Sequence, residues 1–283
     1  MKNLIFALLL ALLPLLCDTA AATQGPPHFA VAEGPTPVLN TPSFTGVFGG
    51  TIRLDPCRGM RPIEFVALPG TLFRIDGELE NDGVTVYRVT SRDYPYPPKT
   101  GYYVDARFVR SVDALYPERP RPLPELAEVQ QRLVAALGKP YVWGGNLKDG
   151  VPLLGKFYPQ ADTLAGVDCS GLLYEATGGY TPRNSSALTV FGAGVPIAGL
   201  SAEGIAARLR PLDLIAWKGH VMVVLDSDRV IQSTMGCKGE GGVRLSPLKE
   251  TLRRLMKSRK PLDHYPEGGG AGKAFVIRRW FPR

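Results

Sequence analysis

Gly166-Val167-Asp168-Cys169-Ser170-Gly171 runs into Leu172-Leu173-Tyr174-Glu175 and stops at Gly178-Gly179, and the reading of this stretch decides the fold. Turn residues followed by a short apolar run and a glycine pair spell a turn that opens a short helix. Cys169 then sits at the helix N-terminus, among unpaired N–H groups and the positive end of the dipole, a setting that favours thiolate over thiol. The same local sequence fits equally a buried, inert cysteine. What the rest of the chain offers Cys169 decides between the two.

A nucleophilic thiol needs a base, and the chain holds 3 histidines. His28 lies in a proline-rich segment and His264 in a polar stretch before Gly268-Gly269-Gly270, so neither is expected on a rigid element. His220 opens the apolar run His220-Val221-Met222-Val223-Val224-Leu225, which Asp226-Ser227-Asp228 joins to a second run, Arg229 to Thr234. Two β-branched runs around a short polar turn read as a hairpin. If Leu225 pairs with Arg229, residue 222 faces 232, and Gln232 lies diagonal to His220 on the same face. Gln232 can then hold one imidazole nitrogen while the other meets Cys169. The competing reading is an ordinary strand histidine.

Working outward, Leu126, Val129, Leu133 and Leu137 recur at helical spacing until Gly138 and Pro140 end the run. Helix first and hairpin later make residues 125–283 an α+β domain, helices packed on an antiparallel sheet. Pro117, Pro120, Pro122 and Pro124 make 117–124 a stiff linker. Before it, residues 44–116 carry short runs at Gly50 to Leu54, Ile63 to Leu68, Gly83 to Thr90 and Gly101 to Val109, separated by Gly, Pro and Asp: a small all-β domain. Residues 23–43, with Pro26, Pro27, Pro35, Pro37 and Pro42, read as an extended leader rather than a packed element.

The first segment bears on the compartment. Lys2, the apolar run Leu4 to Cys17 and Ala20-Ala21-Ala22 follow the order of a secretory signal peptide over residues 1–22. The run is shorter than the roughly 20 residues that span a bilayer, so no stable membrane insertion is expected. An uncleaved anchor is the alternative, and bulky Leu16 before Cys17 speaks against lipidation. The expected destination is the periplasm, the cell envelope or the medium. Cleavage would remove Lys2 and Asp18 together, leaving the formal charge of +7 unchanged. That charge favours anionic partners, with nucleic acid, acidic wall polymers and anionic lipid all open. With 45% hydrophobic and 21% charged residues, disordered and fibrous classes are excluded.

Export would leave Cys57, Cys169 and Cys237, so at least one thiol lacks an intramolecular partner. Cys57 and Cys237 can pair in an oxidising compartment, tying the two domains together and leaving Cys169 free. The basic run Arg253, Arg254, Lys257, Arg259 and Lys260 reads as a solvated face, and Tyr94, Tyr96, Tyr102 and Tyr103 as strand packing rather than a sugar platform. No metal-ligand spacing and no phosphate-binding glycine loop is present in the sequence.

Six pieces stand in a telling order: Pro140-Tyr141-Val142-Trp143-Gly144-Gly145, Asp168-Cys169-Ser170-Gly171, Pro182-Arg183, Leu212-Asp213-Leu214-Ile215, His220-Val221 and Val230-Ile231-Gln232. Together they resemble the NlpC-type papain-like cysteine peptidases of bacterial cell walls, over nearly all of 125–283. The segment Gly101 to Val109 resembles the last strands of the bacterial Src homology 3-like barrels found on wall enzymes. The resemblance implies a papain-like catalytic domain behind a small barrel, and hydrolysis of peptidoglycan stem peptides, commonly at the bond from the γ-carboxyl of D-glutamate to a diamino acid. It implies Cys169 as nucleophile, His220 as general base and Gln232 as orienting group, with Asp168 and Ser170 holding the free amine of the stem and Tyr141 lining the site. It implies no cofactor, no metal and no nucleic-acid partner. Three departures stand beside it: Gln232 where the family most often has His, Leu212 before Asp213 where Gly is usual, and a long 146–167 link whose Leu153, Leu154, Phe157 and Tyr158 could reshape the cleft. Rival readings are a non-catalytic wall-binding protein and an acyltransferase or amidase on the same fold.

Overall fold

The computed structural model describes residues 29–283 apart from 56, 58, 97, 114, 238–240, 267–272 and 283. The expected signal peptide and His28 lie outside the described residues. No helix among the described residues is long and apolar enough to cross a membrane.

The first half is a sheet. β1 (Phe29–Ala32), β2 (Thr36–Leu39), β3 (Ile63–Ala67), β4 (Leu72–Asn81), β5 (Val84–Thr90), β6 (Tyr102–Asp105) and β7 (Val109–Val112) join in the order β3-β2-β6-β5-β4-β1-β7, with helix α1 (Phe44–Phe48) between β2 and β3. The segment expected to be an extended leader therefore supplies two strands from its described part. Ala30, Val31, Ala32, Val38 and Leu39 are all buried, and a run of four apolar residues gains enough by burial to override the proline count. Pro37 is tolerated inside β2 for a specific reason. It faces Val66, whose N–H and C=O both turn outward to the Asn146 side chain at 2.8 and 2.9 Å. The pair is therefore a non-hydrogen-bonded one, and proline's missing N–H costs no ladder bond. The same bonds bear on closure: the sheet is an open path from β3 to β7, not a closed barrel, and Asn146 occupies the outer edge of β3. Gly50 to Leu54, expected as a strand, forms only the isolated bridge Leu54↔Met60. Tyr94 and Tyr102 are buried and Tyr94 stacks on Phe65 at 4.7 Å, so these two tyrosines are packing.

In the second half come α2 (Leu126–Ala135), β8 (Asn146–Leu147), α3 (Leu154–Phe157), β9 (Gly166–Val167), α4 (Cys169–Ala176), α5 (Ser185–Leu188), β10 (Ala193–Val195), α6 (Ala202–Ala206), β11 (Leu214–Trp217), β12 (His220–Val224), β13 (Arg229–Thr234), β14 (Gly242–Pro247), α7 (Leu248–Met256), β15 (Lys260–Pro261) and β16 (Ala274–Arg279). The sheet runs β10-β16-β11-β12-β13-β14, antiparallel, with β15 parallel to β16. Its residues alternate cleanly between two faces. Leu214, Ala216, Val221, Val223 and Ile231 pack under α2 and α4, whereas Ile215, Met222, Val224 and Val230 pack with Ile205 of α6 and Leu252 of α7. In α2 Val129 and Leu133 are buried while Leu137, beyond its end, is exposed. The basic run is spent largely on local pairs, Arg253 with Glu203, Arg254 with Glu250 and Arg259 over Trp217.

The two halves share a core. Val151, Leu154, Tyr158 and Leu164 of the long 146–167 link pack with Leu39, Phe44, Phe48, Ile63 and Phe108 of the first half. The Tyr158 hydroxyl donates to the fully buried Asp105 carboxylate at 2.7 Å. The proline-rich linker is pinned as well: Arg119 donates to Gly178 O at 2.9 Å and to Asp93 at 3.1 Å. Cys57 and Cys237 form a disulfide across 180 residues, Cα–Cα 5.5 Å.

Candidate active site

Local chemistry places Cys169. Asp168 is the N-cap of α4, its Oδ1 accepting from Gly171 N at 2.7 Å, and its Oδ2 accepting from Gly144 N at 3.1 Å. Such a cap satisfies a donor the helix itself leaves unpaired. The glycines are steric necessities. A Cβ on Gly171 would meet Gly145 O at 2.1 Å, so α4 can press against the 144–146 turn only there. Gly144 has φ +72° and would set a Cβ 2.4 Å from Ile63 O of β3.

Beneath this turn lies a buried ion pair that sequence reasoning missed. Arg183, 3% exposed, donates to both Asp168 oxygens at 2.9 and 2.6 Å, to Ser170 Oγ at 3.0 Å, to Gly145 O at 3.1 Å and to Asn146 Oδ1 at 3.1 Å. Ser170 Oγ in turn donates to Asp168 at 3.2 Å. The carboxylate and hydroxyl expected to receive a stem ammonium are thus engaged with Arg183 and the backbone. Asp168 works as a cap and as the counter-ion of a buried guanidinium. The signal was there in Pro182-Arg183, one of the six ordered pieces, and in Asn146 directly after the glycine pair. Neither spacing nor type says that the two meet 37 positions apart.

The Cys169 thiol is 7% exposed and within reach of the Val221 N–H of β12. Burial, and after it the Asp168 charge, push the thiol up to about 12, against the opposing pull of the Val221 N–H, Arg183 and the Ser170 N–H. Burial here opposes the pull of the helix terminus toward thiolate. A terminus contributes about 0.3–1 kcal/mol, whereas the net rise from 9.0 is worth about 4 kcal/mol at 1.36 per pH unit.

His220 begins β12 beside that same Val221 N–H, paired across the sheet with Trp217, ring centroids 5.0 Å apart. Its Nε2 lies 2.9 Å from Gln232 Oε1, the contact the hairpin register anticipated. Since Oε1 is an acceptor, Nε2 carries the proton and Nδ1 keeps a lone pair. Burial holds the imidazole below its ordinary range, partly offset by Gln232 and Asp168. Alternation puts Val221 in the layer with Cys169 and Met222 in the opposite one, and His220, the first residue of β12, is half-buried. Burial thus pushes both groups toward their neutral forms. Tyr141 is kept protonated, its hydroxyl pushed up by burial and by the Asp168 charge. Among the described residues no group of His, Cys, Asp and Glu is arranged to hold a metal ion.

No protein-family model matches the chain, and no curated protein does. Among solved structures it is similar to an NlpC/P60 family protein from Bacillus cereus, 19% identical with a TM-score of 0.35, over 90% of this chain and 63% of that one. It is also similar to the peptidoglycan hydrolase RipB from Mycobacterium tuberculosis, 23% identical with a TM-score of 0.35, over 56% of this chain and 65% of that one. A third is RipD from the same organism, a non-catalytic NlpC/p60 domain protein adapted to peptidoglycan binding, 18% identical with a TM-score of 0.33, over 55% of this chain and 97% of that one. The chain spans under two thirds of the first two structures.

Proposed function

We propose that the chain is an exported thiol endopeptidase that hydrolyses peptidoglycan stem peptides, at the bond between the γ-carboxyl of D-glutamate and a diamino acid. The observation that carries this reading is the one free thiol among the described residues, buried Cys169, beside the start of the strand whose His220 is bonded through Nε2 to Gln232. Cys169 Sγ attacks the stem carbonyl carbon and its proton passes to His220 Nδ1. The tetrahedral oxyanion takes hydrogen bonds from backbone N–H groups and from the Tyr141 hydroxyl. The C–N bond breaks as His220 returns the proton to the leaving amine, giving a thioester and a free amino group. Water then attacks the thioester, yields its proton to His220, and releases the carboxylic acid and the Cys169 thiol.

Burial favours the neutral forms of both groups, so the thiol proton passes to His220 Nδ1 as Sγ attacks. Gln232 fixes the imidazole tautomer, and Asp168, Ser170 and Arg183 hold the turn that aims Cys169. The first half, read as a Src homology 3-like domain despite its open strand order, walls the cleft. The Cys57–Cys237 bridge suits an exported protein.

A second reading, a wall-binding protein without turnover, draws on one observation: the Asp168 carboxylate is already engaged by Arg183. Incubation of the purified protein with peptidoglycan and mass spectrometry of the fragments separates the two. The expected result is a new amino terminus on the diamino acid, with turnover falling at least about a thousandfold in Cys169→Ala. Binding without fragments supports the second reading, and a transferred acyl group in the products would indicate acyltransferase chemistry.

A further inference from the structure

A cavity of about 260 Å³ opens beside Tyr141, where the two halves meet. Its walls come from Leu54, Met60 and Arg61 on one side and from Tyr141, Trp143 and Leu164 on the other. The volume is small against the roughly 300–1,000 Å³ of sites for drug-sized ligands, so it suits one residue of a peptide rather than a sugar chain. Tyr141 and Trp143 of this lining run directly into Gly144, whose N–H donates at 3.1 Å to Asp168, the residue before Cys169.

Within this lining Arg61 is built into place. Its Nε donates to Asp55 Oδ2 at 2.7 Å, and the Asp55 side chain is 2% exposed. Its guanidinium carbon lies 3.9 Å over the Trp143 ring, and its carbonyl accepts from Asn40 Nδ2 at 2.9 Å. The disulfide at Cys57 fastens the same loop to the second half. Asp55 takes only the Nε edge, so among the described residues Nη1 and Nη2 have no acceptor. The other acid of the lining, Asp162, is at the exposed rim and accepts from Leu164 N at 3.2 Å.

We infer that Arg61 is a specificity residue: its two Nη donors take a carboxylate of the stem peptide in the cavity beside Tyr141. The inference rests on the proposed peptidase reading for its substrate and on the geometry for its chemistry. A planar guanidinium oriented by a buried acid and an aromatic face is preorganised for a two-point bond to a planar carboxylate, which a carboxamide cannot match in charge. Lysine would keep the charge and lose the fork.

The test uses the full protein carrying Cys169→Ala, so that binding is read without turnover. Calorimetry compares a stem tetrapeptide with all carboxylates free against two versions, one amidated at the D-glutamate α-carboxylate and one at the diamino-acid carboxylate. Expected is a loss of tenfold or more in affinity for one amidated version, a ratio near one for that same pair in Arg61→Gln, and an intermediate ratio in Arg61→Lys. Equal affinity for all three peptides, or a preference that survives Arg61→Gln, would overturn the inference. An unchanged melting temperature and alkylation pattern at Cys57 and Cys237 shows that the variants keep the loop. Turnover of the free peptide by wild-type protein is read separately. Carboxylate-selective binding without turnover would sink the peptidase reading and leave Arg61 standing, whereas turnover without selectivity would do the reverse.

Discussion

Arg183→Met tests whether the candidate site rests on a buried ion pair. The guanidinium is 3% exposed and makes five hydrogen bonds, two of them to Asp168. Methionine fills much of the volume but leaves Asp168 charged, little exposed and without its counter-ion. Breaking one partner of a buried pair costs about 3–5 kcal/mol. For a chain of this size that corresponds to a fall in melting temperature of roughly 6–20 °C, at about 2–4 °C per kcal/mol. The exposed Arg254–Glu250 pair gives the contrast, since losing it should cost about 0–1 kcal/mol. Adding Asp168→Asn to Arg183→Met removes the stranded charge, so the double variant should be more stable than Arg183→Met alone. The reagent chemistry should follow as well: with the lowering influence of Arg183 gone, the Cys169 thiol rises further and iodoacetamide alkylates it more slowly. Thermal denaturation followed by circular dichroism, with alkylation rates at fixed pH, reads both effects. A melting temperature within about 2 °C of wild type would refute the reasoning, because it would mean that Asp168 is solvated or paired elsewhere.

Gln232→Ala should lower kcat by about ten- to a hundredfold with KM little changed, because about 1.4–2.7 kcal/mol of imidazole positioning is lost while the substrate is untouched; steady-state kinetics checks it, with Gln232→His retaining much of the activity. The alkylation rate of Cys169 should climb steadily between pH 5 and 8, as expected for a neutral thiol held up to about 12, and a plateau beginning near pH 5 would indicate a thiolate–imidazolium pair instead. His220, held below its ordinary 6.5, binds fewer protons folded than unfolded, so stability should fall as pH drops through 6.5 toward the folded value, and His220→Gln should flatten that part of a melting-temperature profile. Alkylation of the oxidised, denatured protein should label Cys169 and neither Cys57 nor Cys237, and Cys57→Ser should cost up to about 5 kcal/mol because the bridge closes 180 residues of chain.

Much of the site was legible in the sequence because it is local. The turn before Leu172 and the glycines after Glu175 specify α4 and its cap within a dozen residues, and the run from His220 to Thr234 specifies a hairpin whose period-2 alternation puts Gln232 beside His220. Local order also names Cys169 as the thiol with chemistry around it. What the tertiary structure decided is long-range. Proline counting marked 23–43 as unpacked, yet β2 finds in β3 a partner whose Val66 turns its polar groups toward Asn146, which makes Pro37 harmless. The helix terminus argued for thiolate, yet burial against the sheet outweighs it. Asp168 reads along the chain as a ligand for a substrate ammonium, and only the fold brings Arg183, 15 positions away, onto the same carboxylate. Each reversal has one cause: the free energy of a charged or polar group depends on which distant groups surround it and how much water is left, and periodicity along the chain carries neither quantity.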